Sequence, residues 1–300
     1  MADSSAMLIQ TFTHNAMATR WTIRTSGAPA AETAQAVSEA FAQISKLENL
    51  LSRFIASSDI SRVNALAPGE RAWVQRETLD CLAAAQKIAE ATKRAFDATS
   101  GTLVDFWKTQ TQNPSCAENS FCDEMPEWRA AVENFRFGTF ALHAESQEIE
   151  CVSAGAKIDL GGIAKGFALD CAAQTLEAWG VESALLSAGG STILACEAPE
   201  GRDGWKIGFA AETNDPEHAP APVILRKNAI SSSGTQFQKT HLVDPRTGLL
   251  AIRRETVRVL AQTATEADAL STAFFCMSDA EIEEFLKSAP AGTEKIRNSK

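Results

Sequence analysis

The sequence is poor in the features that would tie it to a membrane or to a nucleic acid. No run of about 18 apolar residues occurs, so no segment is long enough to span a bilayer. Lysine and arginine number 28 against 38 aspartate and glutamate residues, which leaves a net charge of −10. This acidic balance argues against a nucleic-acid backbone as the main partner, and an anionic ligand would need a local positive site or a metal ion.

An export signal and a disulfide framework are missing as well. The first residues show no basic segment followed by an apolar one. We therefore expect a cytoplasmic protein as sequenced, or a periplasmic or membrane-anchored one if an export signal has been removed. The seven cysteines include no C-x-x-C pair, and their odd number favours reduced thiols over a set of disulfides.

Several catalytic and metal-binding signatures are also absent. The chain has no Ser-His-Asp order, no H-E-x-x-H, no EF-hand loop and no Cys₂His₂ spacing, and it contains no tyrosine. Helical and strand patterns follow one another in mixed order without strict β-α-β alternation, which predicts an α+β fold. A chain of 300 residues can bury a full core, so we expect one large domain or two intimately packed lobes.

The most informative segment that is present runs from Lys157 to Asp170. Residues 156–160 indicate a short strand, and Gly161-Gly162 permits positive φ angles and close approach of another group. A helix is predicted from Ile163 to a stop at Gly180. A strand, a glycine turn and a helix N-terminus direct several N–H groups to one point, which suits a phosphate. The alternative is a tight turn that leaves Lys165 in solvent.

A second segment offers oxygen ligands for a hard cation. Asp268 and Thr272 are four residues apart, so they are neighbours on one face of a predicted helix. A carboxylate and a hydroxyl in this arrangement suit Mg²⁺. The alternative is that Asp268 folds back on the helix start in a capping box with Thr265.

A third segment runs from His241 to Gly248 and holds a candidate base. A histidine can accept a proton near neutral pH, although a single histidine can equally be a hydrogen-bonded residue at a strand end. Asp244 lies in an Asp-Pro-Arg-Thr-Gly sequence that is typical of a turn in which the carboxylate binds its own backbone. Together the three segments favour phosphate-ester or nucleotide chemistry.

The combination of these segments resembles the FAD:protein FMN transferases, the ApbE family. The similarity extends over about residues 10–287 and follows the order of the family's sequence blocks. The C-terminal blocks are Ile158-Asp159-Leu160-Gly161-Gly162-Ile163-Ala164-Lys165-Gly166, Ser187-Ala188-Gly189-Gly190, Ser233-Gly234, His241-x-x-Asp244-Pro245-Arg246-Thr247-Gly248 and Ala267-Asp268-Ala269-Leu270-x-Thr272. The N-terminal blocks are Met17-Ala18-Thr19, Ser58-Asp59-Ile60-Ser61-Arg62-Val63-Asn64 and Ala95-Phe96-Asp97-Ala98-Thr99.

The resemblance implies a fold and an activity. The fold would be a two-lobed, T-fold-related α+β domain with mixed and antiparallel sheets flanked by helices, spanning residues 10–290 between tails 1–9 and 291–300. The enzyme would use Mg²⁺ to cleave FAD and place FMN on a threonine hydroxyl of an acceptor flavoprotein, with AMP as the leaving group. Its partners would be FAD and that acceptor.

The resemblance also implies roles for individual residues. The side chains of Asp268 and Thr272 match Mg²⁺ ligands, and the carbonyl of Ala164 matches a third. His241 is our candidate for the catalytic base. The residues that fall at FAD-binding positions are Met17, Phe54, Phe96, Asp97, Gly161, Lys165 and Ser233.

Two departures from the family pattern stand out. Phe54 replaces a frequent tyrosine, so a ring can still stack but the hydroxyl is lost. The stretch 235–240 before His241 is short, so the region near the flavin is expected to differ. Two other functions stay open from the sequence: an FAD pyrophosphatase that uses water as the acceptor, and a non-catalytic FAD-binding protein.

Overall fold

The computed structural model describes residues 9–27, 29–110, 125–209, 221–234, 242–251 and 256–296. The helices of this part are α1 (Ala30–Leu51), α2 (Asp59–Asn64), α3 (Arg76–Ala91), α4 (Gly101–Gln110), α5 (Pro126–Phe137), α6 (Ala164–Ala178), α7 (Ala264–Cys276) and α8 (Asp279–Ser288). The strands are β1 (Ile9–Ala16), β2 (Thr19–Ser26), β3 (Arg71–Trp73), β4 (Thr139–His143), β5 (Glu148–Ser153), β6 (Ala184–Ala188), β7 (Thr192–Ala195), β8 (Trp205–Ile207), β9 (Val223–Leu225), β10 (Asn228–Ser233), β11 (Val243–Asp244), β12 (Leu249–Leu250), β13 (Val257–Ala261) and β14 (Glu294–Ile296).

A seven-stranded antiparallel sheet organises the molecule, in the order β1-β2-β6-β7-β10-β13-β14. Helices α1, α6 and α7 pack on this sheet and on one another. The amphipathic spacing of α1 buries Val37, Ile44 and Leu47 in the main core, as a three-and-four periodicity predicts. These contacts belong to the main hydrophobic core, which also holds Trp21 and Phe274.

The opposite face of the same sheet is covered too. Leu185 and Ile230 face a second apolar cluster, to which the small β8-β9 sheet contributes Trp205 and Leu225. Because successive side chains of a strand point to opposite faces, β6 is apolar on both sides, which explains its continuous Ala184-Leu185-Leu186 run.

A smaller lobe forms around α4, α5 and the β11-β12 hairpin. Leu103, Trp107 and Val132 belong to its separate core. The indole N–H groups of Trp107 and Trp128 both donate to the carbonyl of Gly248, at 2.9 and 3.1 Å. These two bonds tie the hairpin that follows His241 to α4 and α5.

The expected α+β fold of helices and antiparallel sheets is confirmed. The strand predicted at 156–160 is wrong, because only Lys157 makes a bridge, to Ser100. The side chain of Asn64 accepts from the N–H of Ile158 at 2.7 Å and donates to its carbonyl at 2.9 Å. A side-chain amide therefore takes the hydrogen bonds that a neighbouring strand would have supplied.

Both ends of the large sheet include residues that the sequence analysis placed in terminal tails. Ile9 pairs with Ser26 at one edge, and residues 294–296 form β14, which pairs with β13 at the other. Residues 294–296, which lie in the expected C-terminal tail, are therefore part of the sheet. None of the helices in the described ranges has the length and apolar character needed to cross a membrane.

Candidate active site

Helix α7 sets the position of Asp268 and Thr272. Its N-cap is Thr263, whose side chain accepts from the N–H of Glu266. Asp268 therefore lies inside the helix, and the alternative in which it caps the helix start is wrong. The side chain of Asp268 is 5% exposed and points toward β7 and β10.

The Asp268 carboxylate is shared between two groups of donors. Oδ1 lies 3.1 Å from the hydroxyl of Thr192 and 3.2 Å from that of Ser231. Oδ2 accepts from the main-chain N–H of Gly166 at 3.1 Å and lies 3.8 Å from Nζ of Lys165. The alternative that Lys165 extends into solvent is therefore wrong, because its ammonium group stands beside the carboxylate.

Thr272 lies one helical turn further along α7. It is next to the turn at Gly161-Gly162 that leads into α6, which we call the glycine corner. Its hydroxyl is 3.4 Å from the carbonyl of Asp268 and 3.5 Å from the hydroxyl of Ser233. A Cβ at Gly162 would lie 3.0 Å from this hydroxyl and 3.3 Å from the Phe96 ring. The missing side chain of Gly162 therefore keeps the Thr272 hydroxyl accessible from the start of α6.

The glycine corner differs from the expected phosphate nest. Neither Gly161 nor Gly162 is among the glycines with positive φ, so their role here is steric. The N–H of Gly161 donates to Oδ1 of Asp159 at 2.8 Å, and the N–H of Ile163 donates to the carbonyl of Leu160. The corner thus has fewer free N–H groups than the sequence pattern predicted.

The corner is held from outside by a buried arginine. Arg53 forms an ion pair with Oδ2 of Asp159 at 3.2 Å and a second with Asp105 of α4. Its side chain is only 10% exposed. Since Asp159 also accepts from Gly161, Arg53 couples the segment after α1 to the glycine corner.

The start of α7 is fixed by a carboxylate of α6 that the sequence analysis assigned no role. Asp170 accepts from the N–H groups of Ala264 and Thr265, each at 2.9 Å, and from the Thr265 hydroxyl. Burial raises the pKa of Asp170, and the hydrogen bonds from Thr265 and Ala264 oppose that rise. This bond set holds α6 and α7 in one relative position, which fixes Asp268 against the glycine corner.

The predicted flavin-contact residues lie in different settings. Phe54 is 76% exposed, and the cationic groups of Arg53 and Lys108 each lie 5.2 Å from its ring centre. The carboxylate of Asp97 is occupied internally by Arg94 and by the backbone and hydroxyl of Thr99. The N–H and hydroxyl donors to Asp97 hold the turn that carries Phe96.

Met17 lies in the two-residue turn between β1 and β2, where it and Ala18 have φ angles of 49° and 54°. Its N–H donates to Oε1 of Glu48 at 2.6 Å. An open depression of about 450 Å³ surrounds this turn, lined by Thr19, Arg20 and Glu48 among others. The lining comes from residues on either side of Met17, whose own side chain packs against the main core.

His241 lies outside the described residues. The hairpin that follows it is described, and there Asp244 accepts from the N–H of Arg246 at 3.0 Å. This bond matches the turn-forming role that the sequence predicted for Asp244. The Arg246 guanidinium also donates to Glu281 and to the carbonyl of Cys276, which joins the hairpin to the end of α7.

The donor chemistry around Asp268 fits a hard cation. A carboxylate, a threonine hydroxyl and the serine hydroxyl of Ser233 are all oxygen donors, and Mg²⁺ characteristically takes few protein ligands besides water and phosphate oxygens. No group of three or more His, Cys, Asp and Glu side chains suited to a metal occurs within the described ranges. The fit therefore depends on a single carboxylate, together with the Ala164 carbonyl that the family resemblance implies.

Sequence reasoning missed the hydroxyl groups beneath Asp268. Thr192, Ser231 and Ser271 are completely buried and come from three different elements. One local signal was present: Ser231 and Ser233 alternate along β10 and so point to the same face of the sheet. The alternation does not reveal that α7 is the element packed against this face of β10.

Comparison with known proteins gives a consistent result. A sequence model of the ApbE family matches residues 17–296. The FAD:protein FMN transferase of Treponema pallidum (strain Nichols) is 28% identical over 273 residues, which cover 83% of this chain and 73% of the relative. The FAD:protein FMN transferase of Escherichia coli (strain K12) is 25% identical over 289 residues, covering 90% and 79% respectively.

Solved structures share the fold. The flavin transferase ApbE from Vibrio cholerae superposes with a TM-score of 0.79 at 20% identity, over 98% of both chains. The ApbE protein from Thermotoga maritima superposes with a TM-score of 0.76 at 27% identity, over 93% of this chain and 90% of its own. Because the family sequence model spans nearly the whole chain, this protein belongs to the ApbE family.

Proposed function

We propose that this protein is a Mg²⁺-dependent FAD:protein FMN transferase. It would cleave the diphosphate of FAD, attach FMN to a threonine hydroxyl of an acceptor flavoprotein, and release AMP. The activity that relatives carry in their names, FAD:protein FMN transferase, supports the transferase class. The observation that carries the proposal is the position of Asp268 and Thr272 on one face of α7. Thr272 lies beside the space that a side chain at Gly162 would fill.

An acidic protein that binds a diphosphate must offset the repulsion between like charges, and the proposed site contains groups that would do so. With a net charge of −10, the chain must concentrate positive charge where the substrate phosphates lie. Lys165 contributes an ammonium group 3.8 Å from Oδ2 of Asp268. Asp268, Thr272 and the Ala164 carbonyl would hold the Mg²⁺. A bound Mg²⁺ would stabilise negative charge on the diphosphate oxygens as the bond to AMP breaks.

The remaining residues would orient the two reactants. The Phe54 ring is exposed enough to stack on a flavin or adenine ring. Met17 would contact FAD as the family resemblance implies. The Phe96 ring borders the space that a side chain at Gly162 would fill. Phosphoryl transfer depends mainly on in-line positioning and charge stabilisation, so a pre-arranged site of this kind is suited to it.

His241 is the proposed proton acceptor for the acceptor threonine. The β11-β12 hairpin begins two residues later, and Arg246 and the two tryptophan indoles fix that hairpin. A base must stay within hydrogen-bond reach of the hydroxyl it deprotonates, so a fixed hairpin beside it is an advantage.

The experiment that tests the function combines the protein, FAD, Mg²⁺ and an acceptor domain with a target threonine. We expect stoichiometric AMP and an acceptor whose mass increases by one FMN. An acceptor whose threonine is replaced by valine should gain no mass. Release of FMN and AMP at the same rate without acceptor would instead identify a pyrophosphatase, and FAD binding with no AMP under any condition would identify a binding protein.

A further inference from the structure

Three buried hydroxyl groups, which we call the ladder, lie in a row on the sheet side of Asp268. They belong to Thr192, Ser231 and Ser271. The hydroxyls of Thr192 and Ser231 are 3.0 Å apart, and each lies within 3.2 Å of Oδ1 of Asp268. Ser271 continues the ladder from α7, with its hydroxyl 3.4 Å from that of Ser231 and 2.8 Å from that of Ser233. Thr192, Ser231 and Ser271 are all 0% exposed.

One hydroxyl proton from Thr192 or Ser231 is directed at the carboxylate of Asp268. Thr192 and Ser231 carry one hydroxyl proton each, and the contact between their oxygens can use only one of the two. An ionised carboxylate only accepts, so the other proton is directed to Oδ1 of Asp268. A buried polar group that lost this partner would be costly, which makes the arrangement stable.

The two carboxylate oxygens of Asp268 have different partners. Oδ1 is engaged on the sheet side by Thr192 and Ser231. Oδ2 is turned to the start of α6, where Gly166 and Lys165 lie. A ligand at the glycine corner therefore meets Oδ2 and does not meet both oxygens equally.

We infer that Thr192 and Ser231 are positioning residues that restrict Asp268 to binding a cation through one oxygen, and that they thereby select Mg²⁺ over Ca²⁺. The inference rests on the proposed function, because it concerns the same cation. Mg²⁺ requires near-octahedral geometry with short bonds, whereas Ca²⁺ takes more ligands and accepts bidentate carboxylates. A carboxylate that cannot offer its second oxygen disfavours the larger ion.

The test measures cation binding directly. The full chain, with FAD at a saturating concentration, is titrated with Mn²⁺, and the free Mn²⁺ is followed by electron paramagnetic resonance against a blank of FAD alone. Bound Mn²⁺ is then displaced with Mg²⁺ or with Ca²⁺. The variants are Thr192→Val, which removes the hydroxyl at nearly constant volume, Ser231→Ala, and Thr192→Ser, which keeps the hydroxyl.

A matched control exists elsewhere in the chain. Thr78 is 0% exposed, and its hydroxyl donates to Oδ2 of the buried Asp59 at 2.7 Å. Thr78→Val removes the same kind of bond from α3, away from the cation site. It should lower the melting temperature while leaving both displacement midpoints unchanged.

We expect Thr192→Val and Ser231→Ala each to require about tenfold more Mg²⁺ for displacement, the lower end of what partners of metal ligands contribute. The Ca²⁺ midpoint should change much less, so the preference for Mg²⁺ falls, and Thr192→Ser should restore it. If Thr192→Val fails to fold, Ser231→Ala and Thr192→Ser decide the question.

Two results would overturn the inference, and they are distinguishable. Wild-type binding of Mn²⁺ with an unchanged Mg²⁺-to-Ca²⁺ ratio in folded variants would show that the hydroxyls only support the fold, and the proposed function would stand. Absence of any Mn²⁺ binding by the wild type beyond the FAD blank would remove the inference together with the metal part of the proposed function.

Discussion

The main-chain N–H of Gly166 donates to Oδ2 of Asp268 at 3.1 Å, and this bond joins residues 102 positions apart. It links the first turn of α6 to the second turn of α7 and so holds the proposed cation ligand beside the start of α6. A Cβ at Gly166 would overlap the carbonyl oxygen of Ala264 and lie 2.9 Å from the Cβ of Asp268. Glycine is therefore required here by the close packing of two helices.

The first prediction concerns this packing. Gly166→Ala should lower the free energy of unfolding by about 1–3 kcal/mol, because the new methyl group forces α6 and α7 apart. The helix propensity of alanine would by itself favour the variant by about 0.5–1 kcal/mol, so the sign of the result is informative. Urea denaturation measures it. Gly208→Ala, where a Cβ meets nothing within 4 Å, is the control and should change little. A stabilised Gly166→Ala variant would contradict the close packing.

The second prediction concerns the carboxylate that holds the start of α7. Asp170→Ala leaves the N–H groups of Ala264 and Thr265 without their acceptor, which should cost about 1–3 kcal/mol of unfolding free energy. Asp170→Asn retains one acceptor oxygen and should lose less. Thermal and urea unfolding of both variants check the order. Equal stability of the alanine variant and the wild type would show that solvent replaces Asp170 without loss.

The third prediction concerns the segment before the glycine corner. Asn64→Ala removes both bonds to Ile158, so residues 156–160 lose this restraint and keep the main-chain bonds to Ala98 and Gly101. We expect lower stability, again by about 1–3 kcal/mol, and weaker FAD binding because the corner is no longer held. Fluorescence titration with FAD checks the second effect. Asn64→Asp keeps an acceptor for the Ile158 N–H. Its stability and FAD affinity should therefore fall between those of the wild type and Asn64→Ala.

The fourth prediction is a pH dependence at the start of α8. Hydrogen bonds from the backbone N–H and hydroxyl of Ser278, and then from Arg246, lower the pKa of Glu281. A lowered pKa means that the ionised carboxylate adds stability above the ordinary glutamate pKa of about 4.3, and that this contribution is lost as the pH falls through the lowered pKa. The side chain is 46% exposed, so the effect is modest.

The variant Glu281→Gln isolates this contribution. The melting temperature of the wild type should exceed that of the variant most clearly near pH 7. The difference should shrink as the pH falls below the ordinary glutamate pKa, because the unfolded chain binds the proton first and the folded chain follows at its lowered pKa. A difference that stays constant from pH 7 to pH 3 would show that ionisation of Glu281 adds nothing to stability.

Local patterns in the sequence predicted the elements whose side chains repeat regularly. The spacing in α1, the apolar run of β6 and the Ser278–Glu281 capping box each depend on residues close together in the chain, so a local sequence pattern encodes them. The backbone angles of Gly161 and Gly162 were not predictable in this way. Their conformation follows from Asp159, Thr272 and Phe96, which occupy the space around them.

The site itself could be predicted only in part. The pairing of Asp268 with Thr272 follows from helical spacing, and the structure places Thr272 beside Gly162. The bonds from Thr192 and Ser231 to Asp268 cross 76 and 37 residues, and no local pattern encodes them. The capping alternative for Asp268 was undecidable from sequence, since Thr263 and Thr265 can both begin a helix and only packing selects the first.

The most direct test of the account compares Asp268→Asn with Thr272→Ser at millimolar Mg²⁺. AMP release and the FMN mass on an acceptor domain are measured for each variant and for the wild type. We predict that Asp268→Asn loses transfer by at least about 10²-fold, since Asp268 is the only carboxylate among the described residues that we propose as a cation ligand, while Thr272→Ser keeps its oxygen and loses far less. Transfer by Asp268→Asn at the wild-type rate and with the wild-type Mg²⁺ requirement would contradict it.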